Sequence, residues 1–321
     1  MAMLSFLLII IGFIFLIKGA DFLIDGASSI ARQLHISDLV IGLTIVAIGT
    51  SSPELCVNIV ASFKGNTGIA FGNIFGSTIA NIFLVLGCAA IIFPLTVHKG
   101  VVWKEIPFSL FAALLFAFLA NDQLIARTDV SILTRLDGVL LLIFFVTFLY
   151  YAFAFAQKDR EIPEKIPSKQ YTLGGALLLV VIGTIGLFVG SNLINDGAVS
   201  LAEMCGVSDS FIGLTIIALG TSLPELATGV VAAFKKNAEI AVGTVVGSNI
   251  FNIFFVLGVS ALIRPLPFHT AANIDIGVMV VASIFLFISM FTGGKRIIDR
   301  GEGFVFVVLY VGYIAFLVMN A

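Results

Sequence analysis

Apolar runs follow one another along almost the whole chain, separated by short polar breaks. A helix needs about 20 residues to cross roughly 30 Å of hydrocarbon. Ten stretches qualify: 4–31, 38–63, 69–93, 102–120, 134–156, 171–202, 209–234, 239–263, 271–292 and 303–320. Lipid supplies no water to backbone amides, so each run is read as a helix that satisfies its own hydrogen bonds. The leading run, MAMLSFLLIIIGFIF, lacks the basic region and small-residue cleavage pattern of a signal peptide, and is expected to persist as the first span.

Sliding the chain against itself by 171 residues aligns 16–94 with 187–265 without a gap, and roughly half of the paired positions are identical. IGLTIVAIGTSSPELCVNIVASFK at 41–64 returns as IGLTIIALGTSLPELATGVVAAFK at 212–235. IAFGNIFGSTIANIFLVLG at 69–87 returns as IAVGTVVGSNIFNIFFVLG at 240–258. Each copy holds five spans, and an odd number makes the second copy enter the membrane from the opposite face. The expected organisation is a first five-span repeat over 1–156, a short cytoplasmic linker over 157–170 and an inverted repeat over 171–321.

Composition points to lipid as the solvent, with 60% hydrophobic and 11% charged residues and a mean hydropathy of +1.15. The 17 Lys+Arg and 19 Asp+Glu nearly cancel, which excludes a basic face for nucleic acid. Placing the N-terminus outside puts Arg32, Lys99, Lys104, Lys158, Arg160, Lys165, Lys169, Lys235, Lys236, Lys295, Arg296 and Arg300 in inward loops. Only Lys64, Arg127, Arg135 and Arg264 then face outward, while Lys18 lies within the first span. The asymmetry predicts a multi-pass protein of the cell (inner or plasma) membrane, with both termini extracellular or periplasmic.

In mid-membrane each copy meets Gly-Thr-Ser-x-Pro-Glu, from Gly49 to Glu54 and from Gly220 to Glu225. Pro53 and Pro224 lack an amide hydrogen and break the helix, which frees backbone oxygens near Ala47, Thr50, Ala218 and Thr221. Ser51 or Ser52, and Ser222, are placed to cap the restarting helices. A lone proline would read as a kink. A glutamate directly after it changes the reading, because an ionised carboxylate near the bilayer centre costs several kcal/mol unless partnered. Lys18 is the one basic candidate, and its equivalent is Val189. The fold expected is therefore an all-α membrane protein, ten transmembrane helices as two inverted five-helix repeats with broken helices at the midplane, around a pocket centred on Glu54 and Glu225.

Ser77 and Asn81 in GSTIAN, with Ser248 and Asn252 in GSNIFN, add side-chain oxygens. Ser77 and Asn81 are four apart and share a helical face. Packing alone, helped by Gly72, Gly76, Gly243 and Gly247, is the bland alternative. All these donors are hard oxygens, which suits Ca²⁺, Na⁺ or K⁺, and Mg²⁺ less well, rather than zinc or copper. Cys56, Cys88 and Cys205 show no CxxC or His pairing and read as packing residues, and His35, His98 and His269 lie in or beside loops. Asp25 and Asp196 coincide under the shift and read as helix-end groups, with a gating role as the alternative.

The paired motifs GTSSPE…GSTIAN and GTSLPE…GSNIFN resemble the two alpha repeats of the sodium/calcium exchanger family, within the calcium/cation antiporter superfamily. The resemblance covers essentially the whole chain, in the short-loop prokaryotic form. It implies exchange of sodium for calcium by alternating access, with Ca²⁺ and Na⁺ as substrates and no cofactor. Two glutamates against one Ca²⁺, with a third sodium on the return step, predict electrogenic exchange. Asn252 in place of an aspartate predicts potassium independence, and no protein partner is inferred. Glu54 and Glu225 would be the calcium carboxylates, beside the carbonyls of Thr50 and Thr221. Sodium would use the Ala47 and Ala218 carbonyls, the Ser51, Ser77, Ser222 and Ser248 hydroxyls and the Asn81 and Asn252 amides. Some relatives, including the potassium-dependent branch, have aspartate where Asn252 stands. Alternatives are a calcium/proton antiporter, whose motif resembles Gly-Asn-Ala-x-Glu, and a cation channel. A Ser51 or Ser52 hydrolase lacks a His or Lys base.

Overall fold

The computed structural model describes residues 2–121, 131–156, 171–204, 218–292 and 296–320. The linker, Cys205 and the first part of the expected seventh span lie outside these residues. α1 runs Ala2–Leu34; α2, Asp38–Thr50, and α3, Ser52–Lys64, form one bent span. α4 is Thr67–Ile92, α5 Glu105–Leu119, α6 Arg135–Ala156 and α7 Leu173–Met204. The short α8, Ala218–Thr221, leads into α9, Leu223–Phe234. α10 is Ala238–Ile263, α11 Asn273–Ser289 and α12 Arg300–Asn320. These elements account for the ten expected spans, the seventh being described only from Ala218 onward.

α1 and α7 have 33 and 32 residues. At 1.5 Å per residue each is close to 50 Å long, more than a perpendicular crossing needs, so both must tilt. They pack antiparallel along their length on a seam of small residues seven apart. Ser5, Gly12, Gly19 and Gly26 face Gly197, Gly190, Gly183 and Ala176 in turn. A Cβ on Gly12 would lie 2.8 Å from the Gly190 carbonyl oxygen, and one on Gly183 would lie 2.5 Å from the Leu23 nitrogen. Only backbone fits there, so the two helices make one unit.

The other eight spans form the body, with α4 and α10 at its centre. Gly87 of α4 meets Gly303 of α12, and its equivalent Gly258 of α10 meets Gly138 of α6, so each central helix is clasped by the last span of the opposite repeat. The repeat symmetry extends to the turns. Asn66 and Asn237 accept from the Ile69 and Ile240 amides as N-caps, and the preceding helices end in the left-handed residues Gly65 and Lys236. Two antiparallel ribbons close the loop ends: β1 (Leu95–Thr96) pairs with β4 (Ile297–Ile298), and β2 (Ser131–Leu133) with β3 (Leu266–Phe268).

α4 and α10 each contain a π-helical stretch, Asn81–Leu86 and Phe251–Val256, which the 3.6-residue pattern did not predict. Both lie at the expected ligands, Asn81 at the start of one and Asn252 second in the other. A π turn inserts an extra residue and re-aims the following side chains.

Candidate cation site

At both breaks the residue before the proline-bearing helix leaves the α region. Ser51 has φ −86°, ψ 10° and Ser222 has φ −87°, ψ 1°, each with proline in the next turn. The expected serine caps do not form. Ser51 and Ser222 occupy the N-cap positions without bonding a helix amide, and Ser52 Oγ donates to the Ile48 carbonyl at 2.8 Å. Ser51 Oγ is instead turned to Glu225 Oε1, to which it donates at 2.7 Å across the repeats, while Ser222 Oγ has no partner among the described residues.

Glu54 and Glu225 are both fully buried. Ser77 donates to Glu54 Oε1 at 3.1 Å, and Asn252 Nδ2 donates to Ser77 Oγ at 3.2 Å. Ser248 donates to Glu225 Oε1 at 3.5 Å, with Thr50 Oγ1 3.5 Å from the Ser248 hydroxyl. The two glutamates are thus held in hydrogen-bonded chains that join one repeat to the other. Among the buried atoms without a protein partner are Glu54 Oε2, Glu225 Oε2, Ser222 Oγ, Asn81 Oδ1 and Asn252 Oδ1. Lys18 does not neutralise them: it stays at the surface, 4.0 Å from Asp21.

Of the remaining predicted residues, Asn81 Nδ2 donates to Asn249 Oδ1 at 3.0 Å, and Thr221 Oγ1 donates to Asn73 Oδ1 at 3.2 Å. The Ala47 carbonyl accepts from the Ser51 amide at 3.0 Å and from Thr50 Oγ1 at 3.2 Å. Ala218 opens the described part of its helix, one turn before Ser222. Pro224 leaves the Gly220 carbonyl without its helical donor, and Ser191 Oγ fills that role at 2.6 Å.

Four polar residues here escaped the sequence reading: Asn58, Asn73, Asn249 and Ser191. Their equivalents under the shift are Gly229, Thr244, Thr78 and Ala20. A search for identical polar residues passes over all four, since Asn73 and Asn249 align with threonines and Asn58 and Ser191 with glycine and alanine, although an asparagine inside an apolar span was itself a signal.

A model of the family described as sodium/calcium exchanger protein matches residues 4–154 and 175–319. The chain belongs to the sodium/calcium exchanger family. Among its relatives, the putative antiporter CaxA of Alkalimonas amylolytica is 40% identical over 89% of this chain and 90% of that one. The sodium/calcium exchanger MaX1 of Methanosarcina acetivorans is 34% identical over 99% of each. A solved structure of the sodium-calcium exchanger NCX_Mj, soaked with Na⁺ and Sr²⁺, superposes with a TM-score of 0.83 at 37% identity, covering 98% of this chain and 99% of that one. Membership of this family makes the chain a multi-pass cation antiporter and not an enzyme, and its fold is the ten-helix inverted repeat expected from the spans.

Proposed function

We propose that this family member exchanges sodium for calcium by alternating access in the cell membrane, electrogenically and without potassium, with both termini outside and without a cofactor or protein partner. Ca²⁺ would bind between Glu54 and Glu225, with the carbonyls of Thr50 and Thr221. Na⁺ would share that cluster through the carbonyls of Ala47 and Ala218, the hydroxyls of Ser51, Ser77, Ser222 and Ser248, and the amides of Asn81 and Asn252. The observation that carries this reading is the set of five buried oxygens, from both repeats, that no group among the described residues satisfies. Two are carboxylate oxygens, and all accept. Leaving such groups unmatched costs several kcal/mol, which a dehydrated cation offsets. Calcium suits the set because it takes irregular shells of six to eight oxygens.

The asymmetry of the repeats supports alternating access. α1 packs along α9, whereas the symmetry-related packing of α7 on α3 is all but lacking. Val231 on α9 is 8% exposed and its equivalent Val60 on α3 is 51% exposed. One face is closed and the other uncovered. The positive-inside assignment makes the closed face the inner one, so this arrangement is outward-open. Exchange would then move the α1–α7 unit across the body until α7 covers α3.

The deciding experiment is uptake of radiolabelled calcium into sodium-loaded proteoliposomes. Uptake that collapses with the sodium gradient supports the reading. Uptake driven by a proton gradient without sodium would favour a calcium/proton antiporter, and fluxes of millions of ions per second would favour a channel.

A further inference from the structure

The predicted ligands recur in both repeats, yet the structure adds a polar chain to one of them only. Asn73 of α4 sits between the two helix breaks. Its Nδ2 donates to Asn58 Oδ1 at 2.6 Å and to the Glu54 carbonyl at 3.2 Å, while its Oδ1 accepts from Thr221 Oγ1 at 3.2 Å. Asn58 is anchored in turn, donating to the Ala70 carbonyl at 3.0 Å and to Ser260 Oγ at 3.4 Å. One amide therefore ties the main chain at Glu54, in the first repeat, to the threonine at the break of the second.

Among the described residues, nothing equivalent exists on the other side of the pseudo-symmetry. The shift puts Thr244 in place of Asn73, Gly229 in place of Asn58 and Ala89 in place of Ser260. Thr244 is fully buried and its hydroxyl has no partner. Gly229 leaves no room for a side chain, since a Cβ there would lie 2.6 Å from Val85 Cγ1. An asparagine offers two donors and an acceptor in one plane, whereas a threonine hydroxyl has a single donor and a shorter reach. Thr244 cannot bridge three groups as Asn73 does.

We infer that Asn73 is a positioning residue of the cation site, a clamp between Thr221 and Glu54 that preorganises the site in the arrangement seen here and has no counterpart when the repeats exchange roles. This rests on the antiport reading above. In an inverted repeat the opposite state brings Thr50 to the place Thr221 now holds, facing Thr244. Preorganised ligands hold an ion more tightly because less ordering remains to be done on binding. The outward-open site is consequently the tighter of the two for calcium.

The test compares wild type with Asn73→Thr, which copies the other repeat, and with Thr221→Val, which keeps the Thr221 carbonyl. In proteoliposomes, half-saturating calcium is measured from each face. Asn73→Thr is expected to raise the outer value by at least about three- to tenfold, the effect of losing the Asn73–Thr221 bond alone, while the inner value and the maximal rate stay within about twofold. The double variant should be no weaker than Asn73→Thr alone, because that variant already lacks the bond that Thr221→Val removes. Equal weakening on both faces, or additive losses, overturns the clamp. If wild type shows no sodium-driven uptake, it is the antiport reading that fails. Calcium titration of the purified protein then tests the clamp alone, and an unchanged affinity in Asn73→Thr rejects it.

Discussion

Lys235 Nζ lies 2.7 Å from Asp25 Oδ1 and 3.2 Å from Asp21 Oδ1, whereas Lys64 and Asp196, the symmetry equivalents of Lys235 and Asp25, have no partner among the described residues. Lys235 follows α9 and the two aspartates lie on α1, so the pairs fasten the α1–α7 unit to the body on the face where α1 covers α9. Each side chain is about a third exposed, which limits each pair to about 1 kcal/mol or less. That is enough to tilt an equilibrium between states but too little to trap one. Lys235→Glu is expected to shift the population toward the opposite state. In a background without native cysteines, Lys64→Cys with Asp196→Cys should crosslink faster once Lys235→Glu is added. Crosslinking at the same rate with and without Lys235→Glu would count against an alternating pair.

Glu54→Gln and Glu225→Gln are each expected to abolish sodium-driven calcium uptake while the protein stays folded and inserted. The amide keeps an oxygen for the Ser77 or Ser51 hydroxyl, 3.1 and 2.7 Å away in the two sites, but removes a buried charge. Neutralising an unpaired buried carboxylate relieves a desolvation cost. Thermal unfolding in detergent, without calcium, should therefore occur at the same or a higher temperature. Wild-type exchange in either variant would refute the assigned site.

Charge balance predicts the response to voltage. Two ionised glutamates would neutralise one Ca²⁺, and a third sodium ion on the return step would leave one positive charge to cross the field. One charge is worth about 2.3 kcal/mol per 100 mV. Uptake should therefore be faster at the potential that drives this charge out of the vesicle. Choline in place of potassium should leave the rate unchanged once a protonophore sets the same voltage. Asn252 is the reason: its Oδ1 can complete a sodium shell but carries no charge to offset potassium. Rates equal at opposite potentials would contradict electrogenic exchange, and loss of uptake without potassium would contradict the role given to Asn252.

The α1–α7 seam predicts that Gly183→Leu disrupts exchange without touching the pocket. A Cβ there would already meet the Leu23 nitrogen at 2.5 Å and the Gly19 carbonyl oxygen at 2.7 Å, contacts that only a backbone shift can relieve. Overpacking of this kind costs about 1–3 kcal/mol. A lower unfolding temperature together with a reduced maximal rate is expected, with half-saturating calcium little changed. Gly174→Leu is the control, because nothing lies within 4 Å of its Cβ. A Gly183 variant with wild-type rate would show that the two helices need not travel as one unit.

Much of this protein was legible from pattern alone. Hydrocarbon thickness sets the minimum length of an apolar run that crosses it, so the ten spans follow from hydropathy, and the 171-residue self-match with an odd span count dictates inverted repeats. Pro53-Glu54 and Pro224-Glu225 mark the pocket because a helix break and a carboxylate in lipid each need a partner. What the repeat could not reveal is what the positions that differ between its copies contact, since symmetry predicts only what recurs. Asn73 on Thr221, Ser191 on the Gly220 carbonyl and Lys235 between Asp21 and Asp25 join residues 148, 29, 214 and 210 positions apart. Sequence separation of that kind carries no local periodicity. That Ser51 turns to a glutamate and does not cap its own helix was likewise settled in three dimensions, because Glu225 comes within reach only when the two repeats pack together.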